Sequence, residues 1–156
     1  MDYRPIKRRC QRNDGNVLKG NKMATIDELI ENFSILDDWE DKYQYLIELG
    51  EKLLPLDEKF KTDEFKVSGC QSQVWLVPEY NGDILNFHAD SDAIMVKGII
   101  AVLMAIYANK SVQEIKKIEV EDFFVKLGLG DHLSPSRRNG MMSMVDKIRF
   151  YANNFK

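Results

Sequence analysis

The stretch from Ala93 to Ala108 is apolar nearly all round, with Lys97 as its single charge. A helix with no polar face has its place in the middle of a domain, so this segment predicts a central buried helix around which the other elements pack. Gly98 within it costs about 1 kcal/mol relative to alanine, and a close packing contact is the expected compensation. The uninterrupted apolar run, Gly98 to Ala108, is well short of the roughly 20 residues that a membrane span needs. The segment is therefore a core helix of a soluble protein.

Ser91 and Asp92 precede this helix as its expected start, and the chain before them reads as a hairpin. Val74-Trp75-Leu76-Val77 forms one strand, Asn81-Gly82 is the turn signal, and Ile84 to His88 is the returning strand. A third strand is expected near Phe65–Ser68, reached through a charged surface connection from Leu56 to Lys66. Upstream, Thr25 followed by Glu28 has capping-box spacing for a first helix ending near Leu36. A second helix begins near Asp38, with Trp39, Tyr43, Leu46, Ile47, Gly50 and Leu54 on one stripe until Pro55 stops it. Downstream, Ser111–Lys117 and Glu121–Leu127 suggest two short helices, closed by Gly128-Leu129-Gly130. Ser134-Pro135 then opens a long final helix, with serine as cap and proline in the first turn, whose Met141, Met144, Val145, Ile148, Ala152 and Phe155 recur at helical spacing.

At 156 residues the chain has the length of one domain with a core of its own. Residues 1–22 carry seven basic side chains against Asp2 and Asp14, lack apolar periodicity, and read as a disordered basic arm ahead of a folded domain at 23–156. From Met23 onward there are 15 basic and 23 acidic side chains, a net charge of −8. An acidic body argues against nucleic-acid binding, which rests on clustered positive charge. Two cysteines, Cys10 and Cys70, make no disulfide framework, and with no secretory signal in view the expected setting is the reducing cytoplasm.

Chemistry gathers around Gly69-Cys70-Gln71-Ser72-Gln73-Val74-Trp75, where a thiol follows a glycine just before a strand. A cysteine so placed is either a small buried hydrophobe or a thiol that meets another protein, and the residues alone leave both open. A metal or iron–sulfur site is not expected, because Cys70, His88 and His132 are the body's whole thiol and imidazole inventory and lack paired ligand spacing. A cysteine hydrolase is the competing chemistry, with His88 or His132 as base. Arg137 and Arg138 fall in the first turn of the last helix, where a cation opposes the macrodipole. Such an arginine is either a solvated surface side chain or one that reaches towards an anion, such as a thiolate or a partner's carboxylate. Asp92, in contrast, is read as a favourable acid in a helix first turn.

The sequence resembles the SufE family of sulfur acceptors from about Met23 to Phe155. The motif around Cys70 is similar to the family's signature, and Trp39, Lys42, Tyr43, Glu48, Leu49 and Gly50 to its second-helix block. Ser91-Asp92-Ala93 with Val96-Lys97-Gly98 resembles the entry to its buried helix, and His132 to Arg137 with Asn139-Gly140 the start of its last helix. The resemblance implies an α+β fold like that of IscU-type scaffold proteins, with a small antiparallel sheet packed against several helices. It implies that Cys70 accepts persulfide sulfur from a SufS-type cysteine desulfurase, stimulates that enzyme, and relays sulfur to a SufB-containing scaffold for iron–sulfur cluster assembly. Pyridoxal phosphate would belong to the partner, and no independent turnover is expected of this chain. A CsdE-like acceptor serving another desulfurase or destination is the alternative within the same chemistry. Gly69, Gln71 and Ser72 would support the thiol, Asp92 would brace its loop, and Arg137 would contact the partner or stabilise the thiolate. A homodimer is compatible with the sequence.

Overall fold

The structure, a computed structural model, describes residues 25–69, 72–130 and 132–154. The basic arm at 1–22 and Phe155 lie outside these residues. Six α-helices, one 3-10 turn and a two-stranded antiparallel sheet make up the described fold. It is the α+β arrangement expected from the sequence.

The first helix, α1 (Ile26–Ser34), starts on the capping box: Thr25 Oγ1 accepts from the Glu28 N–H, and Glu28 Oε1 accepts from the Thr25 N–H. Two helices form the centre, α2 (Trp39–Glu51) and α3 (Ile94–Tyr107). They cross backbone to backbone, since a Cβ at Gly98 would lie 2.4 Å from the Leu46 carbonyl oxygen and one at Gly50 2.7 Å from the Gly98 nitrogen. The close contact expected at Gly98 is thus made with α2. As expected of a helix without a polar face, α3 buries Ile100, Val102 and Leu103 completely. The predicted stripe on α2 stops short, however. Leu54 is half exposed and lies beyond the helix, because the residue before a proline is steered out of the helical region, so the turn closes at Lys52 before Pro55 is reached.

The hairpin pairs β1 (Val74–Asn81) with β2 (Ile84–Ser91), register Asn81↔Ile84 through Val74↔Ser91. Its turn is Gly82-Asp83 rather than Asn81-Gly82. Gly82 has φ +62°, at the first central position, where a two-residue hairpin turn calls for glycine. Alternation divides the hairpin into two faces. Val74, Leu76, Leu85, Phe87 and Ala89 join the main core, whereas Trp75 and Val77 pack with Leu56 and Phe65 in a separate cluster on the opposite face. That outer cluster is covered by the connection from residue 55 to 67, a strap that includes the 3-10 turn Glu58–Phe60.

The third strand expected near Phe65–Ser68 is reduced to one bridge, Lys66↔Trp75. Val67 N–H donates to the Val74 carbonyl and Leu76 N–H to that of Phe65. The Phe65 and Lys66 N–H groups turn back to Thr62 and Asp63, so no longer ladder forms. Two short helices follow as expected, α4 (Val112–Lys117) and α5 (Val120–Lys126), and then the long α6 (Pro135–Asn153), capped by Ser134 Oγ accepting from the Arg137 N–H. No described helix is long and apolar enough to cross a membrane.

Candidate functional site

Cys70 and Gln71 lie outside the described residues, but the chain on both sides of them is held in detail. On the entry side, Gly69 adopts φ +86°, a conformation open to glycine at no steric cost, and a Cβ there would lie 2.6 Å from Ser143 Oγ on α6. The glycine before the thiol is therefore called for by its backbone, and the Ser143 hydroxyl would have to rotate away from any side chain placed there. On the exit side, the Gln73 N–H donates to Asp92 Oδ1 at 3.0 Å, and the Asp92 N–H donates to the Gln73 carbonyl at 3.2 Å. Asp92 is thus bonded to Gln73 through both its carboxylate and its N–H, which differs from the helix first-turn place its sequence position implied. Ser91 ends β2 and α3 begins at Ile94, with Ala93 as its cap, so Asp92 precedes the helix and its carboxylate serves the loop instead of the helix dipole.

Beside the loop opens a cavity of about 360 Å³, between the start of α3 and the first turns of α6. Met95, Ile99, Met141 and Met144 form its buried wall, and the half-buried Ser72, Ser136 and Arg137 its polar side. Ser72 and Arg137, singled out from different parts of the sequence, meet here. Among the described residues Arg137 has no acidic partner, whereas the Arg138 side chain donates to the Gly130 carbonyl. One arginine of the pair anchors the preceding loop and the other faces the cavity.

Neither candidate histidine lines that cavity. His88 Nε2 lies 3.1 Å from Glu79 Oε1 on the outer face of the hairpin, and His132 stacks on Trp39 at 4.5 Å between ring centroids. Both imidazoles have structural work, so no observation favours hydrolase chemistry. Among the described residues no group of three His, Cys, Asp or Glu side chains could hold a metal ion.

Sequence reasoning missed the methionine wall and a buried carboxylate, Asp90. Met141 and Met144 read as core filler, and they are buried; that they also wall a cavity depends on how α6 meets α3. Asp90 had one signal, Lys97, whose solitary charge on an apolar helix asked for a partner. Lys97 Nζ lies 3.7 Å from Asp90 Oδ1.

The model of the SufE family, an Fe-S metabolism associated domain, matches residues 27–152. The chain belongs to the SufE family. It is 47% identical over 131 residues to an uncharacterized SufE-like protein of Rhizobium etli, covering 81% of this chain and 88% of that protein. A second SufE-like protein, of Rhizobium meliloti, is 45% identical over 131 residues, 81% of this chain and 94% of the relative. In three dimensions the fold is similar to the solution structure of a hypothetical protein from Thermus thermophilus, with a TM-score of 0.67 at 18% identity over 82% of this chain and 93% of that one. SufE membership assigns the chain a sulfur-transfer role in iron–sulfur metabolism, in company with a cysteine desulfurase.

Proposed function

We propose that Cys70 is the sulfur carrier, accepting sulfane sulfur from a SufS-type cysteine desulfurase and delivering it to a SufB-containing scaffold. The observation that carries this reading is the loop's construction. Its described ends are Gly69, which passes close to Ser143 on α6, and Gln73, which is bonded to Asp92, and Ser72 between them lines an apolar cavity with Arg137 on its polar side.

The step is a thiol exchange. The Cys70 thiolate attacks the outer sulfur of the partner's persulfide, a new S–S bond forms at Cys70, the partner's S–S bond breaks, and the electron pair leaves with the partner's thiolate. No oxidant or reductant enters, because the sulfane sulfur moves with its oxidation state unchanged. Only the thiolate is competent, and a guanidinium on the cavity's polar side favours the anion before and after the exchange. Pyridoxal phosphate chemistry, which frees sulfur from cysteine, belongs to the partner. The apolar wall serves afterwards: a persulfide turned towards the methionines is withheld from water-borne reductants until an acceptor thiolate repeats the exchange in the other direction.

The test is incubation with a desulfurase, pyridoxal phosphate and free cysteine without reductant, read by intact mass and peptide mapping. Reducible added sulfur is expected on the Cys70 peptide and not on that of Cys10. Cys70→Ser keeps the shape, loses the nucleophile, and should accept none. Equal labelling of Cys70→Ser, or no labelling of the intact chain by its cognate desulfurase, overturns the carrier role.

A further inference from the structure

We propose that His132 is a positioning residue for Arg137, acting through its stack on Trp39 to hold the opening turn of α6 against the start of α2. The proposal rests on the carrier reading, in which Arg137 favours an anion at the cavity, for its functional meaning. That opening turn has little hold of its own on the core. No side chain from Ser134 to Asn139 is buried, and the buried face of α6 begins at Gly140 and Met141. Arg137 therefore stands on a turn that is fixed from its N-terminal side, by the segment that leads into it.

That segment is held at several points. Leu133 is buried in the main core, and the Arg138 side chain donates back to the Gly130 carbonyl, tying helix and segment together. The stack of His132 on Trp39, with ring centroids 4.5 Å apart and planes 14° from parallel, joins the segment to α2. Trp39 is the first residue of that helix, and Tyr43, one turn on, meets its ring edge-on at 5.9 Å. The other end of the segment also passes over α2, since a Cβ at Gly128 would lie 3.2 Å from Lys42 Cε. Two flat rings in face contact fix an orientation as well as a distance. From His132 the chain runs through Leu133 directly to Ser134, whose hydroxyl accepts from the Arg137 N–H and whose carbonyl accepts from the Arg138 N–H. Loss of the imidazole should leave the core of α6 in place and loosen its first turn, so that the guanidinium of Arg137 is less steadily held at the cavity.

Two measurements on the full chain test this. Amide hydrogen exchange reads the turn without any partner. His132→Ala is expected to raise exchange at the Arg137 and Arg138 amides about three-fold or more relative to Ile148 in the core of α6, and His132→Phe, which keeps a ring on Trp39, to return it towards the parent. His132 is exposed, so neither substitution empties the core. Stimulation of the cognate desulfurase reads the consequence. His132→Ala should raise the half-saturating concentration of the chain by a similar factor, and should change nothing further in a chain that already carries Arg137→Ala, because both act through one guanidinium. Exchange equal to the parent's at Arg137 and Arg138, equal exchange in the alanine and phenylalanine variants, or stimulation effects that multiply would each overturn the proposal. Normal stimulation by Arg137→Ala alone would remove the anion role of Arg137, and the exchange rates would still decide whether His132 positions the turn.

Discussion

Tyr107 carries the least comfortable polar group among the described residues: its side chain is buried, and its hydroxyl has no hydrogen-bond partner there. Burial pushes its pKa up to about 12. The unfolded chain gives up this proton near 10 and the folded one near 12, so the associated stability is complete below pH 10 and is lost as pH rises towards 12. Two units correspond to about 3 kcal/mol. Tyr107→Phe should match or exceed the parent's stability at pH 7 in urea titrations, and should lack this part of the alkaline loss. A deficit above about 1 kcal/mol at pH 7 would mean that the hydroxyl makes a hydrogen bond worth keeping. For Arg137→Ala the direction is opposite in function and mild in stability. Removing a cation from a helix first turn relieves about 0.3–1 kcal/mol of dipole repulsion, so the melting temperature should hold while stimulation of the desulfurase falls. Normal stimulation with a much lower melting point would make Arg137 a structural residue. Arg137 was legible in the sequence because its position is locally unfavourable. Asp90 was not, because its environment exists only once the strap has folded over Trp75, and no local pattern encodes that.

Among elements, the crossing of α2 and α3 is the tightest constraint. Gly98→Ala gains about 1 kcal/mol of helix propensity, but its methyl meets the Leu46 carbonyl at 2.4 Å, and backbone cannot swing aside as a side chain can. Overpacking of this kind costs about 1–3 kcal/mol or more, so a net loss is expected in thermal and urea unfolding. Stability equal to the parent's would show that the helices can separate. The apolar circumference of α3 made its burial readable, and the capping residues Thr25, Ser111 and Ser134 marked the starts of three helices. Boundaries set by backbone competition were not readable. The strand expected at Phe65–Ser68 lost the Phe65 and Lys66 N–H groups to the turn at Thr62–Lys66, and α3 starts past Asp92, whose carboxylate accepts from the Gln73 N–H.

For the whole molecule, the sequence divides its charge between a basic stretch at 1–22 and an acidic remainder. Residues 1–22 have no apolar face with which to join the core, so a chain starting at Met23 should melt at the same temperature and accept sulfur equally well. A large fall in either would give the arm a role in the domain. The site itself is assembled from distant parts of the chain: the loop at 69–73, Asp92, and the opening turns of α6. During synthesis residue 70 therefore leaves the ribosome well before the opening turns of α6, since domains are completed from the N-terminal side at a finite rate. Until the last helix has been made, the nascent chain carries Cys70 while the cavity beside Ser72 still lacks Met141, Met144 and Arg137.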